Sequence, residues 1–321
     1  MTDWDKLTDL KKWIKQSKPN VNVKSLCSGS DKKINEYMED ITDLVSLKEL
    51  YIYNSKLEYI PNSIFKLINL ENISLRANHI KIIPENLCQL VNLKYLSLPF
   101  NKIEQIPINL HCLINLTELD LEKNEIVYIC ESLFELKNLV KLNLSYNKIK
   151  LLSNKISQLD KLESLDLESN KLTEIPNEIN LLVKLQKINL KNNKILSIPN
   201  SFYDLFHLES VELSGNKITC IDDDIYKLSK LKIIDLSNNK IKSLPDNIYT
   251  IKNLTSLILN NNLLTDISIQ IGLLDKLCYL NIKSNKIIIL PKSIVKCENL
   301  IQFYYDEDLI ELNPIREQYV N

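Results

Sequence analysis

The sequence holds 321 residues, with 40 Lys and Arg against 41 Asp and Glu and a net charge of −1. That length can bury a large core, and the balanced charge argues against the strongly basic surface of a nucleic-acid binder. The three glycines, Gly29, Gly215 and Gly272, lie far apart and exclude the clustered-glycine loops that cradle nucleotide phosphates.

The first residues, MTDWDKLTDLKKWIKQ, are charged throughout and lack an apolar core, so no signal peptide is expected. Residues 2–17 read as a helix. Thr2 can cap it, Trp4, Leu7, Leu10, Trp13 and Ile14 share one face, and Pro19 stops it. Its expected role is an N-terminal helical cap, residues 1–22, with a partner-docking helix as the alternative. A degenerate unit starts near Val23, with Leu26, Ile41 and Leu44 in core places. A clearer unit begins at Leu47, with Ser55 where later units carry Asn.

From there the chain repeats. Asn78, Asn101, Asn124, Asn147, Asn170, Asn193, Asn216, Asn239, Asn262 and Asn285 stand 23 residues apart without insertion or deletion. Aligned on them, the unit reads L-x-x-L-x-L-x-x-N-x-I-x-x-I-P-x-x-I-x-x-L-x-x. Proline takes the P place at Pro61, Pro84, Pro107, Pro176, Pro199, Pro245, Pro291 and Pro314, and Cys130, Ser153, Asp222 and Ser268 replace it elsewhere. A last degenerate unit carries Leu300, Phe303 and Tyr305, with Asp308 in the Asn place. The repeats therefore span residues 23–313, about eleven or twelve units. Residues 314–321 form a polar C-terminal tail expected to fray.

Within each unit the L-x-L segment alternates with period two, which predicts a short strand with Leu inward. The I-P-x-x-I-x-x-L segment has apolar spacing of three to four, which predicts a turn of α or 3-10 helix on the other side. A strand this short cannot bury its face alone, so successive units must stack into a parallel sheet over one core. At ~4.8 Å per strand the sheet would be on the order of 55 Å long. The fold class is thus α/β, a solenoid with the sheet on its concave face and short helices or 3-10 turns on its convex face. The asparagine column is expected to be a buried ladder, because an amide can both donate to and accept from backbone groups.

The unit resembles the leucine-rich-repeat family, and its length and LPxxI segment resemble the intracellular Ras-group, or Ras-suppressor-like, subclass. The resemblance covers roughly residues 47–300 and implies a curved horseshoe that binds another protein on its concave face. It also suggests small GTPases or kinases as partners. Extracellular members usually close their ends with cysteine caps. Here the cysteines number seven and form no close cluster in sequence, so a reducing, cytoplasmic location is expected.

No catalytic constellation emerges. His79, His111 and His207 fall at three different places of the repeat, and no His/Cys group has zinc spacing. No cysteine has a partner base beside it in the register. Neither metal nor cofactor is expected, nor catalysis, nucleic-acid binding or membrane insertion. No apolar run reaches the 18 residues of a spanning helix. Lys56, Lys102, Lys148, Lys171, Lys194, Lys217, Lys240 and Lys286 follow the ladder. They read as a solubilising rim balanced by strand-face carboxylates such as Glu118, Asp120 and Glu122.

The function expected is an intracellular scaffold, monomeric, with a protein partner. The alternative is the regulatory subunit of an enzyme such as a kinase, phosphatase, small GTPase or ubiquitin ligase complex. Specificity should sit at the outward strand positions, which are small or acidic in the middle of the chain. Toward the N-terminus Tyr51, Tyr53, Arg76, Tyr95, Pro99 and Phe100 are all expected outward, and such aromatic and Arg side chains form interface hot spots. Ile233, Ile258, Tyr279 and Tyr304 form a lesser group at the other end.

Overall fold

The computed structural model describes residues 23–27, 46–307 and 309. The helical cap expected at residues 1–22, Ile41, Leu44, Asp308, Pro314 and the tail lie outside the described residues. The chain divides into two compact units, residues 1–149 and 150–321.

In the first unit the strands are β1 (Val23–Cys27), β2 (Glu49–Tyr53), β3 (Asn72–Ser74), β4 (Tyr95–Ser97), β5 (Glu118–Asp120) and β6 (Lys141–Asn143). Each pairs in parallel with its successor, and from β2 onward the register shift equals one repeat, as in Glu49↔Asn72 and Asn72↔Tyr95. The alternation is obeyed, because Leu50 and Ile52, Ile73 and Leu75, and Leu96 and Leu98 are buried. Phe65 and Phe134 fill the space under the outer turns.

The second unit repeats the arrangement with β7 (Ser164–Asp166), β8 (Lys187–Asn189), β9 (Ser210–Glu212), β10 (Ile233–Asp235), β11 (Ser256–Ile258), β12 (Tyr279–Asn281) and β13 (Gln302–Tyr304), again in parallel order. Phe202, Tyr203 and Tyr249 are its large core rings. Tyr203 keeps its hydroxyl satisfied by accepting from the Asp222 backbone N–H at 3.2 Å.

Among the described residues, each strand from β2 to β12 is followed by a 3-10 turn of three to five residues, not an α-helix, as at Glu85–Gln89 and Leu110–Cys112. The residue before most turns is extended, with φ near the value that proline imposes: −75° at Pro84 and −66° at Pro176. The replacements hold the same geometry, with φ −63° at Ser153, −78° at Asp222 and −60° at Ser268. These three add a side-chain cap that proline cannot, each accepting from the N–H two residues on.

The asparagine ladder is buried and bonded in both units. Asn101 accepts from the Ile80 N–H at 3.0 Å and donates to the Leu75 and Leu98 carbonyls, both at 3.0 Å. Asn193 does the same with Leu172, Leu167 and Leu190. At the end of the second unit a carboxylate takes over a backbone role. The Ser284 N–H donates to both Asp306 oxygens, at 3.0 and 2.8 Å, where the corresponding Asn261 N–H donates to the Lys283 carbonyl. Asp306 thus satisfies an amide that one further repeat would otherwise have met.

Candidate functional site: an aromatic and cationic strand face

The face under consideration belongs to the first unit and is built on β2, β4 and the turns that follow β3, β4 and β5. Tyr51 and Tyr53 point to the same side of β2, and their rings stack with centroids 6.1 Å apart and planes 27° apart. The Tyr51 hydroxyl donates to Glu49 at 3.3 Å, and Glu49 also accepts from the Asn72 amide at 3.2 Å. Burial, the Glu49 charge and hydrogen bond, and the neighbouring phenols of Tyr53 and Tyr95 push the Tyr51 phenol up to about 12. Tyr51, Tyr53 and Tyr95 are all half-buried, so their rings are fixed yet partly open to solvent.

Beyond the strands the chain turns through a left-handed residue before each ladder asparagine: φ is 56° at Ala77, 58° at Phe100, 51° at Lys123 and 55° at Tyr146. The N–H of each left-handed residue continues the parallel ladder, as in Ala77 to the Pro99 carbonyl at 2.9 Å and Phe100 to the Glu122 carbonyl at 2.9 Å. This turn aims the Phe100 side chain along the rim. There the Arg76 guanidinium carbon lies 4.5 Å from the Phe100 ring centroid and the Lys123 ammonium 4.8 Å from it. Both cations are exposed. Beneath them Asp120 accepts from the Glu122 N–H at 3.1 Å and from the Ser97 hydroxyl at 3.3 Å. Burial raises its pKa, against the pull of these donors and the Arg76 charge.

Of the six residues expected here, Tyr51 stacks on Tyr53 and lies near Tyr95, and Arg76 meets Phe100 in a separate contact. Pro99 is not part of the surface, because it is buried. The small residues of its column, Ser145, Ser214 and Ser237, are buried too, whereas Arg76 and Lys283 stand out. Side-chain length decides exposure at this place. Lys123, at the same place in the repeat as Phe100, was not among the residues expected here. The outward column also varies in depth: Ser74, Ser97 and Asp235 are buried by longer neighbours. In the second unit Tyr279 and Tyr304 come within 5.5 Å, and Tyr304 is exposed.

Two further expectations need correction. One rim lysine, Lys148, pairs not with the strand face but with Glu125 of its own column, at 2.8 Å. The strong pairing lies on the strand-entry flank, where Lys48 and Lys94 both clamp Glu71 at 2.8 and 2.7 Å and hold its carboxyl down at about 2. In the second unit, burial opposes the charge on Lys191, but Glu212 and Asp235 outweigh it and raise its pKa. The cysteines do contain a close pair. Cys88 and Cys112, on adjacent outer turns, form a disulfide with their Cα atoms 5.5 Å apart. In the dithiol state Cys88 can instead donate to the Asn109 carbonyl, 2.9 Å away. Among the described residues Cys130, Cys220, Cys278 and Cys297 are in no disulfide.

Among the described residues no group of three or more His, Cys, Asp or Glu could hold a metal ion, and no helix is long and apolar enough to cross a membrane. What the geometry offers is a repeat solenoid presenting a fixed, partly open aromatic surface, the architecture of a protein-interaction module. The leucine rich repeat family model matches residues 45–103, 114–172, 160–218 and 206–264, more than half of the chain. The chain therefore belongs to the leucine-rich-repeat family.

Solved structures agree on the fold. A leucine-rich-repeat protein of Leptospira interrogans is 26% identical, with a TM-score of 0.73 over 92% of this chain and 86% of that one. The functional domain of the Listeria monocytogenes protein InlJ, which includes a cysteine ladder, is 22% identical, with a TM-score of 0.73 over 84% of this chain and 56% of that one. The plant peptide hormone receptor RGFR1, solved in complex with RGF2, is 24% identical, with a TM-score of 0.70 over 84% of this chain and 53% of that one. The chain thus spans about half of the latter two. No curated protein matches the sequence.

Proposed function

We propose that this chain is an intracellular, monomeric scaffold that captures a partner protein on the strand face formed by Tyr51, Tyr53, Tyr95, Arg76 and Phe100. The observation that carries the reading is the concentration of three half-buried tyrosines beside a phenylalanine held between two exposed cations. Large rings that are already ordered lose little entropy on binding, which is why such residues dominate interface energetics. The 23-residue LPxxI unit supports the Ras-group subclass, and with it small GTPases or kinases as partner classes. The free, exposed Cys220 favours a compartment that keeps thiols reduced, in which Cys88 and Cys112 would stand as a dithiol.

The test is capture of partners from a host extract by tagged protein, read by mass spectrometry, with Tyr95→Ala combined with Phe100→Ala. The double variant should melt like the parent and lose the captured protein, at about 2 kcal/mol or more per hot-spot residue. Full capture by that variant, with loss instead on Tyr279→Ala and Tyr304→Ala, would move the site to the second unit and overturn the reading.

A further inference from the structure

We propose that the occupant of this face is an acidic peptide segment of the partner, with carboxylates seated against Arg76 and Lys123 and an apolar side chain against the tyrosines. The inference rests on the protein-binding reading above and narrows it to one ligand chemistry.

The argument begins with which charges are already answered. Among the described residues Lys48, Lys94, Lys141, Lys148, Lys191, Lys227 and Lys232 each have a carboxylate oxygen within ion-pair distance. Arg76 and Lys123 have none; what they share is the Phe100 ring, at 4.5 and 4.8 Å. Three carboxylates near the face already have donors or an ion pair. Glu49 accepts from Tyr51 and Asn72, Asp120 from Ser97 and the Glu122 N–H, and Glu118 pairs with Lys141 at 2.8 Å. Arg76 and Lys123 are thus exposed cations with no ion pair, set against the Phe100 ring.

Two like charges on one ring repel each other, and each gains only a modest cation–π attraction at an exposed site. A carboxylate seated against each cation offsets that repulsion and gains charge-assisted hydrogen bonds. Arg76 adds a planar fork of donors that matches a carboxylate. Single-stranded nucleic acid also likes rings and cations. It carries a charge at every nucleotide, however, and would have to run those charges past Glu49, Glu118 and Asp120. A peptide can place its carboxylates singly, at the two cations, and its apolar side chain at Tyr51, Tyr53 and Tyr95.

The experiment is fluorescence anisotropy on the full chain at low salt with three rhodamine-labelled probes: a dodecapeptide alternating Glu with Leu and Tyr, the same peptide with every Glu changed to Gln, and a twelve-nucleotide oligothymidine. The acidic peptide should bind at least tenfold more tightly than its Gln counterpart, and added salt should narrow the gap. Arg76→Gln with Lys123→Gln should erase the preference. Lys217→Gln with Lys240→Gln, an equal charge change at exposed lysines of the second unit, should leave it intact. No preference in the parent, equal loss in both double variants, or oligothymidine binding that depends on Arg76 and Lys123 would each overturn the proposal. If these fail while Tyr95→Ala with Phe100→Ala still abolishes capture of a protein from extract, the face binds protein and the acidic chemistry is what falls.

Discussion

Replacing Asn193 by Ala removes one rung of the ladder, and the structure says which groups are stranded. The Leu172 N–H loses its acceptor, 3.0 Å away in the native protein. The Leu167 and Leu190 carbonyls lose donors at 2.9 and 3.1 Å, but each keeps a second amide, from Asn170 and Asn216 respectively. The dominant loss is therefore one buried, unanswered N–H, at about 1–3 kcal/mol, with a smaller loss from the two weakened carbonyls. A total of about 2–4 kcal/mol should lower the urea midpoint by roughly 1 M at the slopes usual for a chain of this size. Asn285→Ala supplies the internal comparison, because Asn285 is half-buried and water can reach the groups it leaves. It should lose clearly less. An unchanged midpoint and slope for Asn193→Ala, or equal losses at the two positions, would refute the assignment of the ladder's stability to buried, unanswered backbone.

The Cys88–Cys112 bond closes a loop of 24 residues, so mild reduction, checked by a thiol assay, should lower stability by about 3 kcal/mol on the chain-entropy view. In Cys112→Ser the same treatment should have no effect, and a parent that melts identically in both states would refute the constraint. Burial pushes the Tyr203 phenol up to about 12. The folded state thus holds that proton more tightly than the unfolded one, and stability should be fully present below pH ~10 and fall as pH rises from there toward the folded value. Tyr203→Phe should flatten that alkaline limb, and an unchanged limb would exclude Tyr203 as its source. Phe100→Gly should relieve the left-handed backbone while removing the ring between two cations, leaving the midpoint within about 1 kcal/mol and weakening partner capture. A large stability loss would mean that Phe100 serves the fold.

The strands and the ladder were legible because both follow from a fixed period: alternation assigns Leu50 and Ile52 to the core, and a recurring amide implies recurring backbone to satisfy. The details of the rim were less legible. Alternation ends with the strand at Ser97, so extending it to Pro99 placed a short ring outside that the structure buries. A second asparagine column also escaped notice. Asn92, Asn115 and Asn138 donate to the Ile68, Val91 and Ile114 carbonyls at 3.0, 2.8 and 2.7 Å, tying each outer turn to the one before it. The signal was present as the recurring Asn-Leu pairs at 92–93, 115–116 and 138–139, but Lys161, Lys184, His207, Lys230 and Lys276 interrupt that column. Cys88 and Cys112 were missed for a different reason. They sit one place apart in the repeat, and no strict column joins them, whereas adjacent outer turns bring them together.

The left-handed position before each ladder asparagine separates what the fold needs from what a partner needs. The fold needs an N–H aimed at the next repeat and a chain reversal that sends the asparagine inward, and glycine meets that need most cheaply. The second unit uses Gly215 once, where a Cβ would collide with the Asn192 side chain, small Ser169 and Ser284, and Asn192, Asn238 and Asn261, the residue type that best tolerates this conformation after glycine. The first unit instead places Phe100, Lys123 and Tyr146 in succession there, with φ between 51° and 58°. Each costs roughly 1–2 kcal/mol relative to glycine. None of the three side chains is buried in the core: Phe100 is half-buried on the rim, Lys123 is exposed and Tyr146 is 46% exposed. The backbone does not ask for them and the core does not use them. Large side chains at this strained position thus fall next to one another in the first unit, with Phe100 against Arg76, which is the distribution expected if side chains at this edge are kept for what they contact outside the chain.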